Sequence, residues 1–272
     1  MLTDILTEDI RSLEKQRREQ FEKEHESFME NYPEIVGWVN EVIDERFLID
    51  LRSEFERRIE KSQAQSHRLE DLTVDNIIYA NIDKEIRANV FRGEGLIYIN
   101  PNYLKQLFDK KDGHKLRKSY VHEAVHVNSF TGRGKFDEGS ISIGFSAGIG
   151  PVGTFLNECE TDILAMLILE NIDPGFSELE WGNLLSYHVD IIITLFELIA
   201  ERLEVEIGMI FLAFEQMYFN GDLFKDEIYK IVLDTIGNDL WKEILTLHPT
   251  GEPIEKIERI VNTLESLKQH QH

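Results

Sequence analysis

The stretch Val121–Val127 reads Val-His-Glu-Ala-Val-His-Val and places His122 and His126 four positions apart, with Glu123 directly after the first histidine. Four positions are about one turn of an α-helix, so both imidazoles lie on one helical face and can reach one metal ion. The apolar residues around them are typical of a helix that is buried inside a domain. The pattern predicts this helix over residues 115–129.

A second polar segment follows at Asn157–Asp162, which reads Asn-Glu-Cys-Glu-Thr-Asp. It lies near the start of a predicted helix that Thr154 can cap and that runs to Glu170. Glu158 and Asp162 are again four positions apart and share one face of that helix. A catalytic zinc site needs a third protein ligand besides two histidines, and it leaves the fourth position to water.

Together the two segments resemble the gluzincin metallopeptidases, the thermolysin-like clan. The pattern of that clan is His-Glu-x-x-His, followed on a second helix by Asn-Glu-x-x-x-Asp. The resemblance covers residues 122–126 and 157–162. It implies a zincin-like arrangement in which His122, His126 and Glu158 bind one Zn²⁺ ion per chain.

The resemblance also implies roles for residues around the metal. Glu123 would be the general base of the reaction. Asp162 would hold a ligand imidazole, since a metal-bound histidine usually donates its other N–H to a carboxylate. Residues 94–100 would form the edge strand of the clan, which lies beside a bound peptide. Leu156-Asn-Glu and the all-helical tail, with Tyr187-His188-Val-Asp190, resemble small uncharacterised bacterial gluzincins more loosely.

Two further residues are candidates for stabilising the oxyanion of the reaction. Tyr187 and His188 lie on the helix after the second ligand helix, a region from which the clan often draws a tyrosine or a histidine. Neighbours on a helix point about 100° apart, so at most one of the two faces the site, and Tyr187 is favoured. The alternative is that they are a packed aromatic residue and a surface histidine.

The composition narrows the classes of partner. The 272 residues include 51 acidic and 29 basic residues, which gives a formal net charge of −22. A surface this acidic repels phosphate backbones, so we expect no nucleic-acid partner.

The single cysteine, Cys159, excludes an internal disulfide and fits a reducing compartment. With no secretory leader and no apolar run of the ~20 residues that a membrane helix needs, we expect a cytoplasmic protein without a membrane partner.

The hydrophobic pattern predicts a mostly α-helical α+β fold. Residues 1–70 are expected to form a helical N-terminal extension, with one amphipathic helix over residues 39–59. Residues 71–272 are expected to form a gluzincin-like metallopeptidase domain. Within it, residues 71–172 would hold a small antiparallel sheet and the zinc-ligand helices, and residues 173–272 would be all helical.

Short β-branched and aromatic runs at residues 76–81, 87–91 and 96–99 are the predicted strands. The glycine-rich segment 128–153 joins the two ligand helices and is longer than an ordinary connection. It is predicted to be a hairpin over the core or a lid over the cleft.

Two functions fit these observations. The first is a zinc-dependent peptidase that hydrolyses a peptide or protein substrate; a peptidase that cleaves a repressor in a mobile-element switch is a special case of it. The second is a non-catalytic module that uses zinc for stability and its helices to bind another protein. Glu123 favours the enzyme, because a structural zinc site has no use for an adjacent carboxylate. Without a metal, His122 and His126 would be ordinary core residues.

Overall fold

Helices form most of the described chain, and the structure confirms a mostly α-helical α+β fold. The computed structural model describes residues 2–62, 69–82, 87–90, 95–131, 142–143, 146–147, 154–173, 175–176, 187–220, 227–247 and 254–269. Among the helices of these residues, none combines the length and the apolar character that crossing a bilayer requires.

The described part of the chain contains long helices and strands of two or three residues. The helices are α1 (Leu2–Asn31), α2 (Pro33–Val42), α3 (Glu45–Ser62), α4 (Pro101–Lys110), α5 (Gly113–Asn128), α6 (Thr154–Ile172), α7 (Tyr187–Leu203), α8 (Ile207–Asn220), α9 (Glu227–Ile236), α10 (Asn238–Leu245) and α11 (Ile254–Gln269). The strands are β1 (Ile77–Tyr79), β2 (Ala88–Val90), β3 (Ile97–Ile99), β4 (Phe130–Thr131), β5 (Ser142–Ile143) and β6 (Ser146–Ala147).

Helices α2 and α3 are separated at Asp44, within the range predicted to be one helix. The Asp44 carboxylate accepts a hydrogen bond from the backbone N–H of Phe47 at 2.8 Å. A side chain that satisfies a free N–H in this way starts a new helix. The prediction of one helix over residues 39–59 is therefore wrong at this point. Of the apolar residues predicted to define its amphipathic face, Val42 is half-buried and the others are buried: Val39, Ile43, Phe47, Leu51, Phe55 and Ile59.

The sheet of β1, β2 and β3 is mixed, with β3 in the middle. Strand β3 pairs parallel with β1 and antiparallel with β2, so the prediction of an antiparallel sheet is wrong for one of the two pairs. The edge strand expected over residues 94–100 is also wrong, because β3 has a neighbour on each side. Every residue of β3 is buried, and a continuous apolar run suits a central strand better than an edge.

Helix α1 supplies hydrogen-bond acceptors to the outer edge of β1. The backbone N–H of Tyr79 donates to His25 Nδ1 at 3.2 Å, and the N–H of Asn81 donates to the Glu24 carboxylate at 2.7 Å. The imidazole of His25 also stacks on the Tyr79 ring, with ring centroids 5.3 Å apart. Side chains of a helix therefore satisfy backbone donors that would otherwise be open at a sheet edge.

Backbone contacts divide the chain into two compact units. The first consists of residues 1–49 and 70–124, and the second consists of residues 50–69 and 125–272. Residues 1–70 contribute to both units, and their separation as an extension stays a prediction. The first unit holds the mixed sheet. The second unit has a helical core of large apolar side chains, which include Leu164, Ile192, Phe196, Phe214 and Trp241.

Parts of the glycine-rich segment 128–153 form a second small sheet. Strand β4 pairs antiparallel with β5, and β5 pairs antiparallel with β6. This pairing fits the hairpin that the sequence predicts. Residues 132–141, 144–145 and 148–153 lie outside the described part of the chain. Action of the segment as a lid stays a prediction.

The second unit buries a cluster of charged side chains around Arg58. The Arg58 guanidinium donates to Glu54 at 2.8 Å and to the two carboxylate oxygens of Glu215 at 3.2 and 3.1 Å. Burial and the negative charge of Glu215 raise the pKa of Glu160 to about 8, against the lowering effect of Arg58. One guanidinium therefore offsets the charge of several buried carboxyl groups.

Replacement of this guanidinium tests its contribution to stability. Arg58→Met is expected to lower the free energy of unfolding by about 3–5 kcal/mol, because it leaves Glu54 and Glu215 buried without the cation between them. Arg57→Met is the matched control: Arg57 pairs with the same Glu54, but its side chain is 48 % exposed. The control is expected to lose no more than about 1 kcal/mol. Urea unfolding measures both, and equal losses would contradict the role of Arg58.

The contact between His25 and β1 predicts a pH dependence of stability. Burial lowers the pKa of His25 below its ordinary 6.5, although Glu26 raises it, and the neutral ring accepts the Tyr79 N–H. His25 therefore binds a proton more strongly in the unfolded chain than in the folded chain. The stability that the neutral His25 ring contributes is lost as the pH falls below the ordinary pKa of histidine and through the lowered pKa of the folded chain.

The His25→Phe variant keeps an aromatic ring against Tyr79 but cannot titrate. Between about pH 7.5 and about pH 5.5 we expect the free energy of unfolding to fall more steeply in the wild type than in this variant. Urea unfolding at the two pH values gives the difference. Identical pH dependence in the two proteins would show that His25 is not the titrating group.

Candidate metal centre

Helix α5 presents its two histidines at the accessible positions of a buried stretch. The helix begins after Asp112, whose carboxylate accepts the backbone N–H of Lys115 at 3.2 Å. From residue 120 to residue 128 every residue is buried except His122 and His126, which are half-buried. The structure therefore bears out the shared face that their spacing predicts. Glu123 is buried, with 6 % of its surface exposed.

Helix α6 has the same arrangement. From residue 155 to residue 166 every residue is buried except Glu158 and Asp162, which are half-buried. Cys159 is buried between them. Burial raises the pKa of the Cys159 thiol, and the charge of Asp162 adds to this effect. Among the described residues, the group of side chains that could hold a metal ion does not include Cys159.

The three predicted metal ligands come together in the structure. His126 Nε2 lies 3.5 Å from Glu158 Oε1. His122, His126 and Glu158 each offer one ligand atom, and these atoms all lie within 4.8 Å of one another. The group could hold a metal ion. Two of its members come from successive turns of the unbroken helix α5, and the third comes from the start of α6.

The second ring nitrogen of His126 lies among polar groups of α6 and α8. Its Nδ1 is 3.4 Å from Thr161 Oγ1, 3.4 Å from Asn157 Nδ2 and 3.5 Å from the Tyr218 hydroxyl. Burial raises the pKa of Tyr218 well above its usual range, although hydrogen bonds with Ser129 and Thr161 oppose the shift. The Tyr218 phenol therefore keeps its proton at neutral pH.

Neither Thr161 nor Tyr218 was predicted to be part of the site. Thr161 was detectable, because it follows Glu158 by three positions and therefore lies near it on the same helical surface. Tyr218 is 92 positions away from His126 in the chain, and no helical or strand period links the two. Contacts of this kind arise only from the packing of helices.

The remaining predicted residues have different outcomes. Asp162 is half-buried on the same face of α6 as Glu158, and its bond to a ligand imidazole stays a prediction. Tyr187 and His188 lie in the first turn of α7, but their side chains are outside the described part of the structure. Their role at the oxyanion also stays a prediction.

Comparison with known proteins gives no relative: no family profile, no curated protein and no solved structure matches the chain. What the protein does is therefore inferred from the chemistry of its own residues.

The candidate centre predicts that the protein binds metal. Protein expressed without an affinity tag and dialysed against a weak chelator is expected to contain about one Zn²⁺ per chain by plasma mass spectrometry. His126→Ala is expected to lose this zinc. His114→Ala, which removes an exposed histidine of the same helix, is the matched control and is expected to keep it. Absence of zinc from the wild type, with none taken up on addition of Zn²⁺, would contradict the site.

Proposed function

We propose that the chain is a zinc-dependent metallopeptidase of the gluzincin type, a hydrolase that cleaves peptide bonds in a peptide or protein substrate. The observation that carries the proposal is the convergence of the His122, His126 and Glu158 ligand atoms within 4.8 Å of one another. The buried carboxyl residue Glu123 directly follows the first of these ligands in the chain.

The donor set fits zinc. Two imidazoles and a carboxylate form the ligand set of known catalytic zinc sites, and three protein ligands leave the fourth position open. Two atoms bound to a tetrahedral Zn²⁺ ion at about 2.0–2.1 Å lie about 3.4 Å apart. His126 Nε2 and Glu158 Oε1 are 3.5 Å apart, which is the spacing of two ligands on such an ion.

Glu123 has the chemistry of a general base in peptide hydrolysis. His122, His126 and Glu158 would hold a Zn²⁺ ion, which would supply Lewis-acid activation of a water molecule and of the substrate carbonyl. Glu123 would accept a proton from the water that adds to the carbonyl carbon. Glu123 would then donate that proton to the amide nitrogen as the C–N bond breaks and the amine leaves. Because Glu123 is 6 % exposed, little bulk water competes for its carboxylate during these transfers.

We further propose that the enzyme acts in the cytoplasm. Its one cysteine, Cys159, is buried and forms no disulfide within the chain, which suits a reducing compartment. The formal net charge of −22 makes a nucleic acid an unfavourable partner and leaves peptides and proteins as the expected substrates.

Glu123→Gln separates metal binding from catalysis. Gln has nearly the same shape as Glu but cannot accept the proton, so the variant is expected to keep its zinc and to lose about 10²–10⁴-fold in kcat/KM. The zinc-loaded proteins are incubated with a degenerate peptide library, and cleavage is followed by mass spectrometry.

Glu170→Gln is the matched control, because it makes the same exchange at an exposed position of α6. It is expected to cleave like the wild type. A zinc-loaded wild type that cleaves no member of the library would contradict the peptidase and favour a zinc-stabilised interaction module. Equal cleavage by wild type and Glu123→Gln would contradict the role of Glu123.

A further inference from the structure

The two ring nitrogens of His126 have different surroundings. Nε2 faces the carboxylate of the second ligand helix, with Glu158 Oε1 at 3.5 Å. Nδ1 faces two hydroxyl groups, Thr161 Oγ1 at 3.4 Å and the Tyr218 hydroxyl at 3.5 Å. A neutral imidazole carries its proton on one nitrogen only, and the hydrogen bonds around the ring decide which one.

The two hydroxyl groups already have acceptors for their own protons. Thr161 Oγ1 donates to the backbone carbonyl of Asn157 at 2.6 Å. The Tyr218 hydroxyl lies 2.5 Å from Thr161 Oγ1 and is also hydrogen-bonded with Ser129, so its proton has acceptors in these two hydroxyl groups. A hydroxyl has one proton and two lone pairs, so both oxygens have only acceptor capacity left for His126.

Asn157 is compatible with this arrangement. Its amide Nδ2 lies 3.4 Å from His126 Nδ1, and a half-turn of the amide group presents its oxygen there instead. With the amide oxygen turned to the ring, the polar atoms of Asn157, Thr161 and Tyr218 that face Nδ1 are all acceptors. A proton on Nδ1 then has several acceptors, whereas a bare Nδ1 would face the lone pairs of these oxygens.

We propose that Thr161 and Tyr218 are positioning residues that hold His126 as the Nδ1–H tautomer and leave the lone pair of Nε2 directed at the metal position. The inference rests on the metal site of the proposed function. Helix α8 would then contribute to the metal centre through the Tyr218 hydroxyl, although the candidate ligands themselves lie on α5 and α6. Removal of groups that orient a ligand in this way typically costs about 10–100-fold in metal affinity.

The tautomer is measured on the metal-free Glu158→Ala protein, because the Glu158 carboxylate faces Nε2 at 3.5 Å and would draw the proton to that nitrogen when no metal is bound. The chain has nine histidines, so ¹⁵N-histidine labelling is combined with the His126→Gln variant, whose missing signal assigns His126. The Glu158→Ala protein is expected to show a proton on Nδ1 and none on Nε2 of His126 at mildly alkaline pH. With Thr161→Val and Tyr218→Phe added, it is expected to show the Nε2–H form as well. A His126 ring that stays protonated on Nε2 in the Glu158→Ala protein would overturn the proposal.

Zinc affinity is measured by competition with a chromophoric chelator. Tyr218→Phe, Thr161→Val and the double variant are expected to bind Zn²⁺ about 10–100-fold more weakly than the wild type, and Thr161→Ser, which keeps the hydroxyl, is expected to bind near the wild-type level. Tyr79→Phe removes a buried tyrosine hydroxyl in the other unit and is the control. Should the double variant fail to fold, Tyr218→Phe alone provides the test.

The outcomes separate the two proposals. A wild type that binds no zinc contradicts the proposed function. A wild type that binds zinc, together with a folded Tyr218→Phe variant of unchanged affinity and unchanged tautomer, contradicts the positioning role and leaves the peptidase in place.

Discussion

The approach of His126 to Glu158 is the interaction on which the candidate metal centre depends. It joins α5 to α6 at 3.5 Å, in stretches of both helices that are otherwise buried. Apolar burial fixes the rotation of each helix about its axis, so the few accessible positions point in defined directions. The two helices therefore hold the candidate ligands close together, which is what the proposed catalytic centre would require.

The helical period predicts the shared face of each polar pair, whereas Glu158 as the third candidate ligand was implied by the resemblance to the gluzincin pattern. His122 and His126, like Glu158 and Asp162, are separated by one turn, and one turn is enough to place two side chains on one face. The helical period also predicts most of the buried apolar residues of α2 and α3, but it does not predict the break between these two helices. Asp44 could have predicted that break, because an aspartate can cap the start of a helix by accepting the backbone N–H three positions later, here that of Phe47.

Other features depend on tertiary packing and have no local signal. The strand order of the mixed sheet depends on which strands pair. The apolar run of β3 predicts that this strand is buried, but it does not predict which strands pair with it. Tyr218 reaches His126 across 92 positions, and Arg58 reaches Glu215 across 157 positions. Single polar residues at such separations show no periodicity in the sequence. The Tyr218–His126 contact nevertheless lies at the candidate metal centre, and the Arg58–Glu215 pair balances buried charge.

Crystallographic location of bound zinc tests the central claim most directly. Crystals of the zinc-loaded full chain are measured on both sides of the zinc absorption edge, and the anomalous difference map gives the position of the metal. The proposed centre predicts one strong peak within about 2.0–2.2 Å of a ring nitrogen of His122, Nε2 of His126 and a carboxylate oxygen of Glu158. A zinc peak on other histidines, with none at these three residues, would contradict the metal centre and the function built on it.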